Sequence, residues 1–145
     1  MKSKMVHQHG ERTFVLVFDT GDEAMASLSA FAKERGLAGS HFTGIGACSD
    51  VVLGYFDWKR KRYERIPLDE QVEVLSFAGD ISVVDGEPKV HAHVVIGKAD
   101  GSAHGGHLLE AHVRPTLEVV LVESPLHLRR THDAESGLPL IDLGA

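Results

Sequence analysis

Turn signals divide most of this sequence into short β-forming runs, and that punctuation constrains the fold more than any bulk property. Asp85-Gly86-Glu87-Pro88 and Asp100-Gly101 are turn sequences, and between them Lys89 to Gly97 alternates as a half-buried strand does. Thr13 to Phe18 is β-branched and aromatic, a strand buried on both faces. Ser40 to Gly46, Val51 to Trp58, Tyr63 to Ile66, Gln71 to Phe77 and Leu117 to Val122 read as further strands, with short extended pieces toward Ala145. One stretch differs. From Glu23 to Arg35 the apolar residues Met25, Leu28, Phe31 and Ala32 recur at helical spacing, and Gly36 supplies a stop. The pattern predicts an α+β fold: one mainly antiparallel, strongly twisted sheet with one long N-terminal helix and few others, in a compact single domain.

With 145 residues, 43% hydrophobic and 25% charged, the chain has the size and balance of one globular domain. Residues 1–11 are polar and expected to be a flexible segment ahead of a domain at 12–145. The single cysteine, Cys48, excludes an internal disulfide framework or a multi-cysteine zinc site. No apolar run approaches the ~18 residues that span a bilayer, and Met1-Lys2-Ser3-Lys4-Met5 is not followed by the apolar stretch of a secretory leader. A cytoplasmic, membrane-free location is the expectation. A net charge of -6 and a pI near 5.9 argue against a surface that binds nucleic-acid phosphates unaided.

Ten histidines are present, and the informative ones are His91, His93 and His107. His91 and His93 project from the same face of a strand. If the hairpin loop comprises the three residues Ala99 to Gly101, His93 faces His107 and three imidazoles converge. A two-residue Asp-Gly turn would put His107 on the wrong face unless a bulge at Gly105-Gly106 restored it. Three neutral imidazoles suit Zn²⁺, with Ni²⁺, Cu²⁺ or Fe²⁺ as other divalent candidates, and leave a fourth position open for water or a small-molecule ligand. Paired histidines on a partly exposed sheet are the alternative reading. His104 is a second candidate for the third ligand, and His41 and His112 are weaker ones. His7 and His9 belong to the leading segment, His127 and His132 to the surface.

His91-Ala92-His93, then Asp100-Gly101, then Gly105-Gly106-His107-Leu108 resemble the central motif of the plants and prokaryotes conserved (PPC) domain. The resemblance continues through Ser27-Leu28, Phe31-Ala32, Gly44-Ile45-Gly46-Ala47, Gly54-Tyr55-Phe56-Asp57, Val72-Glu73-Val74-Leu75-Ser76, Gly79-Asp80-Ile81 and Leu117-Glu118-Val119-Val120. It covers roughly Arg12 to Leu138 and implies a compact domain assembled as a homotrimer. It also implies that His91, His93 and His107 are metal ligands, usually of one zinc per subunit. Plant members carry AT-hook arms, from which the prokaryotic relatives inherit a DNA-binding label. This chain has no AT-hook; its one basic run, Lys59-Arg60-Lys61-Arg62 with Arg65 beyond, reads as a solvated hairpin turn. The expected function is therefore that of a metal-binding, DNA-associated regulatory module.

A wider likeness to acetolactate decarboxylase and a zinc-dependent ester hydrolase suggests the alternative, a zinc-dependent hydrolase or lyase acting on a small ester or keto acid. Whether the chain is an enzyme is left open. Such an enzyme needs a carboxylate near the metal, and the candidates are Glu110, Glu73 and Glu118. Strict alternation places Glu110 on the face opposite His107. Arg12, Arg129 and Arg130 are candidate anion holders, with surface placement the commoner fate. Gly44-Ile45-Gly46 lacks the later glycine and helix of a dinucleotide fingerprint, and Cys48 reads as a small buried residue.

Overall fold

The computed structural model describes residues 1–144. Its elements in chain order are β1 (Lys2–His9), β2 (Glu11–Asp19), α1 (Ala24–Arg35), β3 (Gly39–Asp57), β4 (Arg62–Leu68), β5 (Val72–Val84), β6 (Glu87–Gly97), β7 (Ala103–Glu123), β8 (Arg129–His132) and β9 (Pro139–Asp142). The α+β expectation needs correction. Strand accounts for 66% of the chain and helix for 8%, and the one helix is short rather than long.

The reason lies in how the strands treat glycine and proline. β3 runs 19 residues and β7 runs 21, because bulges absorb the residues at which the sequence pattern breaks. The β3–β5 register shifts between Gly44 and Gly46, and the β3–β7 register shifts between Gly46 and Cys48, where Pro115 falls outside the ladder. The helix, by contrast, is held at both ends. The Glu23 side chain accepts from the Met25 and Ala26 amides. Gly36 takes the left-handed conformation (φ 59°), and Leu37 donates back to the Ala32 carbonyl. Twelve residues at about 1.5 Å each give a rod of about 18 Å.

Four pairings close on themselves: β3 with β5, β5 with β6, β6 with β7, and β7 with β3, all antiparallel. β2 extends this ring from β7, β1 from β2 and β4 from β3. β8 touches β5 in parallel at Val83 and Arg129 and pairs with β9. The leading residues expected to be flexible thus include β1, laid along β2 with all eight residues exposed.

The core forms where Phe14, Leu16, Phe18, Phe42, Phe77, Ile96 and Leu121 meet Leu28, Phe31 and Ala32 of α1. Phe14 and Phe31 pack edge to face at 5.3 Å. On β6, Val90, Ala92, Val94 and Ile96 all point into this core, so His91 and His93 point out of it.

The sheet folds tightly at Gly79, where any Cβ would collide with the His91 carbonyl and the Phe42 ring. Gly79→Ala should therefore cost about 2 kcal/mol by overpacking. Urea unfolding should show this as a lowered midpoint at unchanged slope; a wild-type midpoint would mean that the backbone yields there freely.

Candidate metal centre

The hairpin joining β6 to β7 has the three-residue loop. Lys98 N–H donates to the Ser102 carbonyl and Gly101 N–H to the Lys98 carbonyl, both at 2.9 Å. Gly101 sits at φ 81°, a left-handed position that costs glycine nothing. Asp100 Oδ1 accepts from the Ser102 amide and hydroxyl at 2.9 and 2.6 Å, holding the loop shut. The resulting register pairs Gly97 with Ala103 and His93 with His107.

Ring centroids are 5.1 Å apart for His91 and His93, 5.3 Å for His91 and His107, and 5.4 Å for His93 and His107. One nitrogen from each lies within 4.8 Å of the others. His107 is where β7 changes neighbours, facing His93 on one side and Gly54 of β3 on the other. A Cβ at Gly54 would press on the Tyr63 ring; without one, Tyr63 stacks on His107 at 4.5 Å. Burial, then the neighbouring His91, His93 and Lys89, bring the His107 pKa down to about 4. Burial and His91 also lower His93. Both are thereby favoured as neutral ligands.

His91 meets the Asp80 carboxylate through Nδ1 at 3.3 Å. Burial alone would raise the Asp80 pKa, but hydrogen bonds from His91 and Arg130 outweigh it and hold the carboxylate below its ordinary range. Burial raises Tyr63, with Arg130 opposing. Sequence reasoning did not connect Asp80 or Tyr63 to the site. For Asp80 a signal exists. The two-residue turn Asp85-Gly86, with φ 50° and 85°, pairs Val84 with Glu87, and counting back pairs Asp80 with His91.

The other candidates fall elsewhere. His104 lies opposite core-facing Ile96, on the wrong face, and His41 is exposed on β3. Leu109 is an extra residue in the ladder, since Leu53 pairs with Leu108 but Val52 with Glu110. That bulge reverses the alternation and puts Glu110 on the His107 face, yet its carboxylate is bound by Arg65 at 2.6 Å. Glu73 and Glu118 line a separate groove of about 540 Å³ with Ile45, Leu75 and Thr116. Arg12 pairs with buried Glu123 at 3.7 Å. Cys48 is fully buried, and burial, then Asp50 and Glu23, push its thiol up to about 12, too high for a nucleophile. In the basic turn Arg60 pairs with Asp57 and Glu64, and Arg62 with Glu64. Lys61 lies 3.3 Å over the Trp58 ring.

The donor set fits a transition metal. Three imidazoles bring one nitrogen each within 4.8 Å of the others, His91 meets a carboxylate as metal-bound histidines do, and the buried Nδ1 of His107 has no hydrogen-bond partner among the described residues.

A mostly β domain carrying a three-histidine cluster on one hairpin is the class that fold and site define. The family model of the Plants and Prokaryotes Conserved (PCC) domain matches residues 5–125, and the chain belongs to that family. It is similar to a structure described as a putative DNA binding protein from Bacteroides thetaiotaomicron, at 28% identity and TM-score 0.89, covering 99% of both chains. A plant- and prokaryote-conserved protein of Pyrococcus horikoshii is 35% identical with TM-score 0.84, over 90% of this chain and 91% of that one. A metal-containing protein of Archaeoglobus fulgidus is 33% identical with TM-score 0.82, over 97% and 96%. The bifunctional protein GlmU of Synechococcus sp. (strain JA-3-3Ab) is 30% identical over 115 residues, 78% of this chain. The chain spans only 17% of the length of that curated relative. No helix among the described residues is long and apolar enough to cross a membrane.

His112, away from the cluster, forms an ion pair with Asp50 at 2.6 Å. The Asp50 hydrogen bond raises His112 above its ordinary 6.5. For Asp50, partial burial is outweighed by the bonds from His112 and Ser49, which hold it below 3.8. The Asp50 contribution is present above about pH 4 and lost as pH falls through its folded value; that of His112 is present below about 6.5 and lost as pH rises through its folded value. Both operate between those limits. Asp50→Asn should thus cost about 0.5 kcal/mol near pH 5.5, given the exposure of the pair, and less near pH 9. Denaturation at the two pH values checks this; equal losses would remove the ion pair as the cause.

Proposed function

We propose that this chain is a metal-binding module in which His91, His93 and His107 together hold one divalent transition metal per subunit, zinc being the best match to three neutral imidazoles. Two observations carry it together: one nitrogen from each imidazole lies within 4.8 Å of the others, and the buried Nδ1 of His107 lacks a hydrogen-bond partner among the described residues. The description of the Archaeoglobus fulgidus relative as metal-containing supports the reading. A zinc ion held there would supply Lewis acidity to a bound small molecule. The residues themselves orient it: Asp80 fixes the His91 ring and Tyr63 covers one face of His107. Glu110, the carboxylate nearest in the chain to His107, is bound by Arg65. A binding or regulatory role therefore fits better than hydrolase or lyase chemistry on an ester or keto acid.

Assembly as a homotrimer belongs to the same proposal. Ile45, Leu75 and Val120 are 64%, 53% and 48% exposed, and they border one groove that no histidine lines. Such an apolar sheet face suits self-association. DNA binding is the second reading, favoured by the name of the Bacteroides thetaiotaomicron structure. Arg60, Arg62 and Arg65 of the basic turn are paired with Asp57, Glu64 and Glu110, so several subunits would be needed to build a positive surface.

Elemental analysis of chelator-free protein should find about one zinc per chain, and His93→Ala or His107→Ala should lose it with the fold retained by circular dichroism. Full metal content in both variants would refute the ligand assignment. Light scattering should give three times the chain mass, and Ile45→Glu with Leu75→Glu should reduce it to one; an unchanged mass would exclude that face as the interface. DNA affinity, where found, should fall steeply with salt, and an affinity insensitive to salt would argue against phosphate contact.

A further inference from the structure

We infer that Arg130 is a positioning residue of the metal centre, acting on His91 through Asp80. The inference rests on the metal-binding reading above and extends it to a strand outside the family match at residues 5–125. Arg130 lies on β8, and its side chain is 9% exposed. Nη2 donates to both oxygens of Asp80 at 2.9 Å, Nε to the Ser82 hydroxyl at 2.8 Å, and Nη1 to the Pro139 carbonyl at 3.1 Å. Every guanidinium nitrogen is occupied, which removes Arg130 as a holder of anionic substrate. It is an anchor, tied at once to β5, β9 and the carboxylate behind His91.

Two contacts compete for His91 Nδ1, Asp80 Oδ2 and Arg130 Nη2, both at 3.3 Å. Nη2 already serves the carboxylate, and a carboxylate is the stronger partner for a ring N–H. His91 therefore carries its proton on Nδ1, donates it to Asp80, and presents Nε2 as the lone pair. That is the arrangement by which an outer carboxylate fixes the tautomer and orientation of a metal-bound imidazole. Asp80 can hold His91 only if it is itself held. The buried guanidinium does this, and its removal would leave a half-buried carboxylate free to turn away.

The test compares Arg130→Gln with Arg129→Gln, which loses the same charge from an exposed side chain one residue away. Zinc affinity is measured by competition with a chelator, the Co²⁺ visible spectrum reports ligand geometry, and imidazole ¹⁵N shifts of the metal-free protein report the tautomer. Arg130→Gln should bind zinc about 10–100-fold more weakly, shift the Co²⁺ bands and lose the Nδ1–H preference of His91. Arg129→Gln should change none of these. Equal zinc affinity and an unchanged Co²⁺ spectrum in Arg130→Gln would overturn the inference, as would an Nε2–H tautomer of His91 in the unaltered protein. The latter measurement stands even where Arg130→Gln fails to fold. Failure of the unaltered protein to bind zinc would instead overturn the metal reading itself.

Discussion

The register between β6 and β7 is set by the three residues Ala99-Asp100-Gly101, and the site depends on it. A sheet has a side-chain period of two, so shifting that register by one residue would turn His107 toward the opposite face. The loop resists this because Gly101 occupies a left-handed conformation that other residues avoid, and because Asp100 ties down Ser102. The core enforces the same choice. Ala92, Val94 and Ile96 are fully or nearly fully buried, and any slip that moved them to solvent would expose the largest apolar face of the hairpin. Turn chemistry and burial thus select one pairing, and three imidazoles meet on the outer face as its consequence.

That outer face also governs the electrostatics. Protonated imidazoles 5.1 to 5.4 Å apart repel one another, and partial burial adds to the cost of charging them. Burial first, and then this repulsion, favour neutral His93 and His107, which suits donation of their lone pairs. The opposite sign is handled at Asp80, where burial would favour the neutral acid and the hydrogen bonds from His91 and Arg130 reverse the balance. A negative group is thereby maintained next to His91, while no carboxylate among the described residues pairs with His93 or His107. The cluster is electrically asymmetric, with one imidazole backed by an ion pair and one covered by an aromatic ring.

Much of this was legible in the sequence, and the failures have local causes. The same-face placement of His91 and His93 follows from alternation alone, and the two alternatives for His107 differ only in loop length. The balance of fold class was misjudged because glycine and proline ordinarily end strands, whereas β3 and β7 carry them through bulges at Gly44–Gly46 and around Pro115. Bulges also defeat face assignment at a distance. Glu110 returns to the His107 face because Leu109 adds one residue to the ladder, and no composition rule announces that insertion. Asp80 could have been found by counting back through Asp85-Gly86. Arg130 could not have been placed, since its approach to Asp80 depends on a parallel contact between β5 and β8 rather than on a hairpin.

The long strands have a further consequence for how the surface is divided. Gly54 faces His107 directly across the β3–β7 ladder, and Thr43 of the same strand reaches His93 through Ala78 of β5, so β3 passes the histidine cluster twice. One continuous β3 therefore links the cluster to Ile45 at the apolar groove by hydrogen-bonded backbone rather than by a loop. Ile45 follows Thr43 by two residues, so the apolar groove and the histidine cluster divide one face of the sheet between them.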